Sequence, residues 1–158
     1  MPPRMQLDYL ANHEAFIPEL AGLHFAEWSY LRPDETLDAR TARLRGCCGR
    51  LSIPTVIVAF ADGRLCGSAM LVQNDMESRL DLAPWLAGVY VTSSERRRGV
   101  GAALVQRIER ESAALGVSQL HLYAARANAF YERLGWQSLE RCTYLGEQVT
   151  IMRKWVAS

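Results

Sequence analysis

Apolar positions along this chain follow two rhythms, short apolar or alternating runs and a three-to-four-residue spacing, and their order predicts the elements. Residues 5–11 alternate weakly, which predicts a first strand closed by the polar Asn12-His13-Glu14. Leu20, Leu23, His24, Glu27, Trp28 and Leu31 then recur at helical spacing, with Pro18 suited to the start of that helix and Pro33 stopping it. Asp34-Glu35-Thr36 reads as the cap of a second helix through Leu37, Ala39, Leu44 and Arg45, released by Gly46 and Gly49.

The rhythm then changes. Residues 55–60 are β-branched and apolar, bounded by Pro54 and Asp62-Gly63, and residues 65–72 follow a tight turn, which predicts a hairpin. A polar loop over 73–84 leads to a strand over 86–92, and the isolated Gly88 inside it signals a bulge or a close backbone approach. From 101 to 115, Leu104, Val105, Ile108 and Leu115 share one face of a long helix, Arg107, Glu109, Arg110 and Glu111 fall largely elsewhere, and Gly116 ends it. A strand over 119–124, a short helix over 127–134 ended by Gly135, and two closing strands over 136–144 and 148–155 complete the order. Strand, two helices, hairpin, then strand-helix-strand-helix predicts an α/β (α+β) fold with a mixed sheet whose parallel pair is joined by the long helix.

Composition narrows the class. A chain of 158 residues, 49% of them hydrophobic, suffices for one compact domain (residues 1–158) that buries roughly 70% of its unfolded surface. The net charge of +1 supplies no general attraction for nucleic acid or an acidic membrane, so neither is expected as a partner. Cys47, Cys48, Cys66 and Cys142 form no C-x-x-C pair and three scattered histidines complete no zinc pattern, so no metal is expected. No run approaches the roughly twenty apolar residues of a membrane span, and the polar Met-Pro-Pro-Arg start is unlike a signal peptide, which makes a reducing cytoplasm the expected location.

The chemistry concentrates after the strand Val89-Tyr90-Val91, where Arg96-Arg97-Arg98-Gly99-Val100-Gly101-Ala102 opens the long helix. Unbonded amides and the positive end of the helix dipole make such a start an anion cradle, glycines let the backbone come close, and arginines add charge-assisted bonds, so a phosphate-bearing cofactor is expected. ATP is disfavoured because Ala102-Ala103 stands where Gly-Lys-Ser/Thr is needed. NAD is disfavoured because position 104 is leucine and the next strand carries no carboxylate.

Arg96-x-x-Gly99-x-Gly101 after Val-Tyr-Val resembles motif A of the GCN5-related N-acetyltransferases, which hold the pyrophosphate of acetyl-coenzyme A (acetyl-CoA). Asn128-Ala129-Phe130-Tyr131-Glu132-Arg133-Leu134-Gly135-Trp136 resembles motif B of the same family. The resemblance covers about residues 55–155. It implies a mixed, mostly antiparallel sheet of about six or seven strands with a central parallel pair and about four helices. It also implies an acetyl-CoA-binding core over about residues 55–136, and helices over about residues 15–49 that select the acceptor.

By the same resemblance Val89, Tyr90 and Val91 line pantetheine, Arg96 to Ala102 hold the phosphates, and Asn128 stands in for an asparagine that many relatives carry where this chain has Ala124. Tyr131 matches the tyrosine that protonates the leaving thiolate. For the base, His121 on the strand 119–124 is the first candidate and Asp75, Glu77 and Asp81 on the long loop are the others. Trp28, Asp75 and Trp85 are expected against the acceptor. The implied activity is direct transfer of acetyl to the primary amine of a small molecule or of a peptide or protein N-terminus. Leu120-x-Leu122 followed closely by Phe130-Tyr131 is similar to N-terminal acetyltransferases acting on acidic peptides. A non-catalytic acyl-CoA-binding sensor is the alternative, and a homodimer is compatible with either.

Overall fold

The computed structural model describes residues 4–156. In chain order these hold β1 (Gln6–Tyr9), α1 (Ile17–Trp28), α2 (Leu37–Gly46), β2 (Thr55–Ala61), β3 (Arg64–Val72), β4 (Trp85–Val91), α3 (Val100–Ala114), β5 (Gln119–Ala124), α4 (Asn128–Arg133), β6 (Gln137–Tyr144) and β7 (Glu147–Trp155). The strands form one seven-stranded sheet in the order β1-β2-β3-β4-β5-β7-β6. Every neighbouring pair is antiparallel except β4 and β5.

Strand β2 shows why the sheet sits between two helical layers. All seven of its residues are buried. Ile57 and Ala59 face Val100, Leu104, Val105 and Ile108 of α3, whereas Val56, Val58 and Phe60 face Ile17, Leu20 and Ala21 of α1 and Leu44 of α2. The two-residue period of a strand divides one apolar run between both cores. Asp62 and Gly63 take φ of 51° and 70°, the turn a two-residue hairpin requires. A third cluster, Met76, Trp85, Tyr144, Val149 and Ile151, ties the loop before β4 to the closing hairpin.

Four local expectations are corrected. Extended pairing of β1 stops at Tyr9 and Leu10–Asn12 form a 3-10 turn, because Leu10 is drawn wholly into the core with Ile17 and Leu20. The α-helical part of α1 ends at Trp28, and Ser29–Leu31 tighten into a 3-10 turn before Pro33. Leu115 lies past the end of α3, largely exposed, rather than on its apolar face. Glu111 is buried on α3, where it accepts a hydrogen bond from the Tyr9 hydroxyl at 2.6 Å and pairs with Arg107 at 3.0 Å. A paired carboxylate can sit in the helix interface that an unpaired one would avoid.

Candidate active site

Parallel strands β4 and β5 meet only at Trp85 and His121, where the His121 N–H also bonds the Pro84 carbonyl at 3.1 Å. Beyond that pair they part. In the same stretch β4 bulges: Ser68 opposes Tyr90 but Met70 opposes Ala87, so Gly88 and Val89 together face Ala69. Gly88 has φ of 58°, so the backbone calls for glycine, and a Cβ there, 2.6 Å from the Met70 sulfur, would also have to displace that flexible side chain.

A buried chain of hydrogen bonds holds the bulge. The Ser68 hydroxyl donates to the Gly88 carbonyl at 2.9 Å, and His24 Nε2 lies 2.8 Å from Ser68 Oγ. The single hydroxyl proton goes to the carbonyl, so Nε2–H of His24 must donate to Oγ. Burial, with help from the charge of Arg40, lowers the His24 pKa to about 3, so the ring stays neutral and Nδ1 carries no proton. A trans peptide sets its C=O and N–H on opposite sides. With the Gly88 carbonyl bound to Ser68, the Val89 N–H turns toward the gap that opens between β4 and β5.

That gap is the floor of a cavity of about 540 Å³. Gly88 and Val89 line one side and Leu122 to Ala127 the other, and Tyr131 of α4, residues of α1 and α2, Asp75 and the β6–β7 hairpin complete the wall. The Tyr131 ring packs against Phe130 and Trp136, and burial pushes its phenol up to about 12, so it stays neutral. Burial likewise raises the Asp75 carboxyl to about 6, against the opposing pull of Arg32, Arg43 and Arg40. Burial also raises the Tyr123 phenol and lowers the His24 imidazole of the same cleft, and displaced pKa values gathered in one cleft mark candidates for acid and base roles.

At the head of α3, Gly99 takes φ of 80° and no side chain caps the helix. The first backbone bond of that turn runs from the Ala103 N–H to the Gly99 carbonyl at 3.1 Å, so the amides of Val100, Gly101 and Ala102 precede the ladder. Gly101 packs beside Phe130 and Val91, where a Cβ would lie 3.4 and 3.6 Å from their carbons. Arg96, Arg97 and Arg98 are exposed, with Arg96 Nε donating to the Val91 carbonyl at 3.1 Å. Buried Glu95 fixes the turn from beneath by pairing with Arg64 at 2.8 Å and Arg98 at 3.7 Å. Buried Thr92 Oγ1, just before the turn, and Asn128 Oδ1, at the start of α4, have no hydrogen-bond partner among the described residues. Open amides, exposed guanidinium groups and the Thr92 hydroxyl fit the phosphates of a ligand, and the Asn128 oxygen fits an N–H or O–H of one.

Of the residues expected from sequence, Trp28, Asp75, Val89 and Tyr131 line the cavity, and Tyr90 stacks edge-on against Trp28 from the bulged strand at 6.2 Å between centroids. Val91, Arg96 to Ala102 and Asn128 do not line it; Val91 and Gly101 pack together at the helix start, and Asn128 Nδ2 donates to Thr150 at 2.9 Å. His121 is not brought to the cavity: it lies outside the lining, buried against Trp85, with Nδ1–H donating to the Pro84 carbonyl at 3.1 Å. Burial lowers its pKa, and the alternation that put it on the right face said nothing of its depth along β5, where Tyr123 instead reaches the cavity. Trp85 also lies outside the cavity lining: it is wholly buried in the third core, with Nε1 donating to the Leu82 carbonyl at 2.8 Å. Glu77 is exposed and bound to Arg32, and Asp81 is held by Arg79.

Sequence reasoning missed Ser68, Tyr123, Tyr144, Glu147 and the arginines 32, 40, 43 and 126. His24 offered a signal, a polar residue on the apolar stripe of α1. The others had none, because separate elements bring them together. Among the described residues no group of His, Cys, Asp and Glu is arranged to hold a metal ion, and no helix is long and apolar enough to cross a membrane.

A family profile described as an acetyltransferase (GNAT) domain matches residues 52–138, which run from just before β2 into β6. Solved structures extend the likeness to nearly the whole chain. An aminoglycoside 6'-N-acetyltransferase complexed with coenzyme A has a TM-score of 0.77 at 16% identity, covering 97% of this chain and 98% of its own. The aminoglycoside 6'-N-acetyltransferase from Enterococcus faecium has a TM-score of 0.75 at 16% identity, covering 97% and 98%. The protein yncA from Salmonella typhimurium, with its cofactor acetyl-CoA, has a TM-score of 0.70 at 16% identity, covering 98% and 95%. No curated protein matches the chain.

Proposed function

This chain belongs to the GNAT family of acetyltransferases, and from that premise we propose that it transfers acetyl from acetyl-CoA to a primary amine by direct attack, with both substrates bound together. The observation that carries the reading is the shared cavity of Asp75, with its pKa near 6, and Tyr131, with its pKa near 12, at the place where β4 and β5 part.

Bound acetyl-CoA supplies the acyl group as a thioester. The amides of Val100, Gly101 and Ala102 and the side chains of Arg96, Arg97 and Arg98 are the groups that would hold its phosphates, with the Thr92 hydroxyl available as a further donor, while Asn128 Oδ1 can accept from an N–H or O–H of the same molecule. The backbone of Val89 and Tyr90 borders the gap, where it can pair with an extended arm as an added strand would, while the Val91 carbonyl is taken by Arg96 Nε. Asp75 takes the proton of the amine, directly or through water. A free amine of pKa about 10 is a poor donor to such a carboxylate, but desolvation and three nearby guanidinium groups lower the pKa of an ammonium in this cavity. The Val89 N–H offers a donor to the thioester carbonyl oxygen, and the His24-Ser68-Gly88 chain keeps it aimed. Tyr131 keeps its proton across the working pH range and shares it with the departing sulfur, whose own basicity burial raises. α1 and α2, together with the loop before β4 and the β6–β7 hairpin, choose the acceptor. The reducing cytoplasm suits the four free cysteines.

The test is purified protein with coenzyme A, ATP and NAD in turn, followed by thiol release from acetyl-CoA across a panel of amines and peptides. Stabilisation by coenzyme A alone, with thiol release that needs an acceptor and is lost on Asp75→Asn, is the expected result. Coenzyme A binding without acceptor-dependent release would leave an acyl-CoA sensor instead.

A further inference from the structure

Part of the cavity wall is charged, and its charges are arranged unevenly. Arg32, Arg40, Arg43 and Arg126 all line it, together with Glu27, Asp75 and Glu147. Glu27 and Arg126 are exposed, and Glu147 accepts a hydrogen bond from the Tyr30 hydroxyl. The charges of the other three arginines all act on the Asp75 carboxyl. Arg40 and Arg43 share one carboxylate, Glu35, at 2.8 and 3.2 Å, and Glu35 is almost wholly buried beneath them. Two guanidinium groups on one carboxylate leave a positive charge over. Arg32 pairs at 3.1 Å with Glu77, whose side chain is 76% exposed, and donates to the Tyr144 hydroxyl at 3.3 Å. An exposed pair of that kind contributes little and is readily exchanged for another anion. A second, smaller hollow of about 230 Å³ opens beside the cavity, and Arg32, Arg43, Asn74 and Asp75 line both.

Building on the acyl-transfer reading, we infer that the acceptor carries a carboxylate close to its amine, and that Arg32 and Arg43 bind that carboxylate while the amine lies at Asp75. Guanidinium forks match carboxylate geometry in two parallel bonds, and Arg43 reaches the site without losing the buried Glu35–Arg40 pair. The same charges lower the pKa of the neighbouring ammonium, which eases its deprotonation, and the carboxylate offsets the repulsion that a bare ammonium meets there. A polycation such as an aminoglycoside would bring further ammonium groups against the three arginines. The fold shared with aminoglycoside acetyltransferases therefore does not carry their acceptor with it.

The experiment compares matched acceptors: free L-amino acids, the same amino acids as C-terminal amides, short peptides beginning with Asp or Glu, and an aminoglycoside. Its second arm measures, by calorimetry on the coenzyme A-loaded protein, binding of N-acetylated amino acids against their amides, which needs no turnover. Carboxylates preferred over amides in kcat/KM and in affinity, by about 10-fold or more, support the inference. Arg43→Gln and Arg32→Gln should each remove most of that preference through KM, leaving coenzyme A affinity unchanged. Preference for free amino acids places the carboxylate on the α-carbon, and preference for the acidic peptides places it on the first side chain. Equal use of amides, or preference for the aminoglycoside, overturns the inference while leaving acetyl transfer intact. Carboxylate-selective binding with no turnover of any amine upholds the anion site and overturns the transfer reading. No selectivity in either arm overturns the anion site.

Discussion

At Asp75, burial and charge pull against each other, and burial wins: its pKa rises to about 6 although Arg32, Arg43 and Arg40 favour the ionised form. Two outcomes follow from that one displacement. As a base, Asp75 must be ionised, so kcat/KM should fall as pH drops below about 6, and Asp75→Asn should abolish that limb and cost about 10²-fold or more in rate. Stability runs the other way. The folded pKa lies above the ordinary 3.8, so the folded chain holds a proton that the unfolded chain has already released between those values. Ionised Asp75 therefore costs stability above pH about 6, and the cost vanishes below the unfolded value. Asp75→Asn should raise stability at about pH 8 by on the order of 1–2 kcal/mol and have little effect at about pH 4, read from thermal melts of the free protein. A melt that drops at the higher pH would remove Asp75 from the desolvated cavity. For Tyr131, the Phe variant keeps the packing against Phe130 and Trp136. Its kcat should fall about 10²-fold with little change in KM for either substrate, and unchanged steady-state kinetics would end the acid role. Tyr131 was legible because its neighbours spell a motif. Asp75 was one loop acid among three, since only tertiary burial sets it apart from Glu77 and Asp81.

Elements matter here for the backbone groups they leave free. Strand β4 bulges at Gly88, and Ser68 holds the bulge through one hydroxyl that accepts from His24 and donates to the Gly88 carbonyl. Ser68→Ala strands the buried His24 N–H, at a cost of about 1–3 kcal/mol, and frees the carbonyl to turn. Its kcat should fall about 10-fold while KM for acetyl-CoA holds, since loss of one aimed donor costs about that much or more. A change in KM alone would place Ser68 in binding and not in aiming the amide. The turn into α3 depends on Gly99, whose φ of 80° a β-branched residue adopts only under strain. Gly99→Val should weaken coenzyme A binding at least 10-fold by calorimetry, because it displaces the amides that meet the phosphates, and an unaltered affinity would put the phosphates elsewhere. The isolated glycine in one strand and the glycine pair before a helix both announced themselves in the sequence. The partners that fix them, Ser68 and Glu95, did not, because Ser68 reads as an ordinary strand residue and Glu95 as a turn acid.

For the molecule as a whole, the consequence is a sheet joined across its middle by a single paired position, Trp85 with His121. On one side β1 to β4 carry α1 and α2, and α3 packs on β2, β3 and β4; on the other lie β5, β7 and β6, and Leu120 and Leu122 of β5 share one core with Leu86 of β4 and Leu104 and Ile108 of α3. A ligand that runs from the head of α3 along the gap touches both halves. Saturation with coenzyme A at about 100 times its Kd adds ~2.7 kcal/mol of stability, roughly 5–10 °C in melting temperature for a chain of this size. Amide hydrogen exchange should slow most in β4, β5 and the first turn of α3. Slowing confined to the surface of α1 and α2 would contradict a ligand laid in the gap.

The sequence by itself determined the order and type of the elements, the glycine-bearing turn that opens α3 and the motif tyrosine, because hydrophobic period, glycine placement and adjacent motif residues are local properties. It placed the boundaries of β5 at the residues observed and those of β2, β3 and α3 within one or two positions. Depth, pairing and charge balance were settled only by the tertiary structure. It put His121 and Trp85 beneath the parting of the strands, brought His24 of α1 to Ser68 of β3, and raised one loop carboxylate while leaving two in salt bridges. It also gathered arginines from α2 and from two separate loops over a single cavity. Such properties depend on which distant segments exclude water from a group, and no short stretch of sequence contains that information.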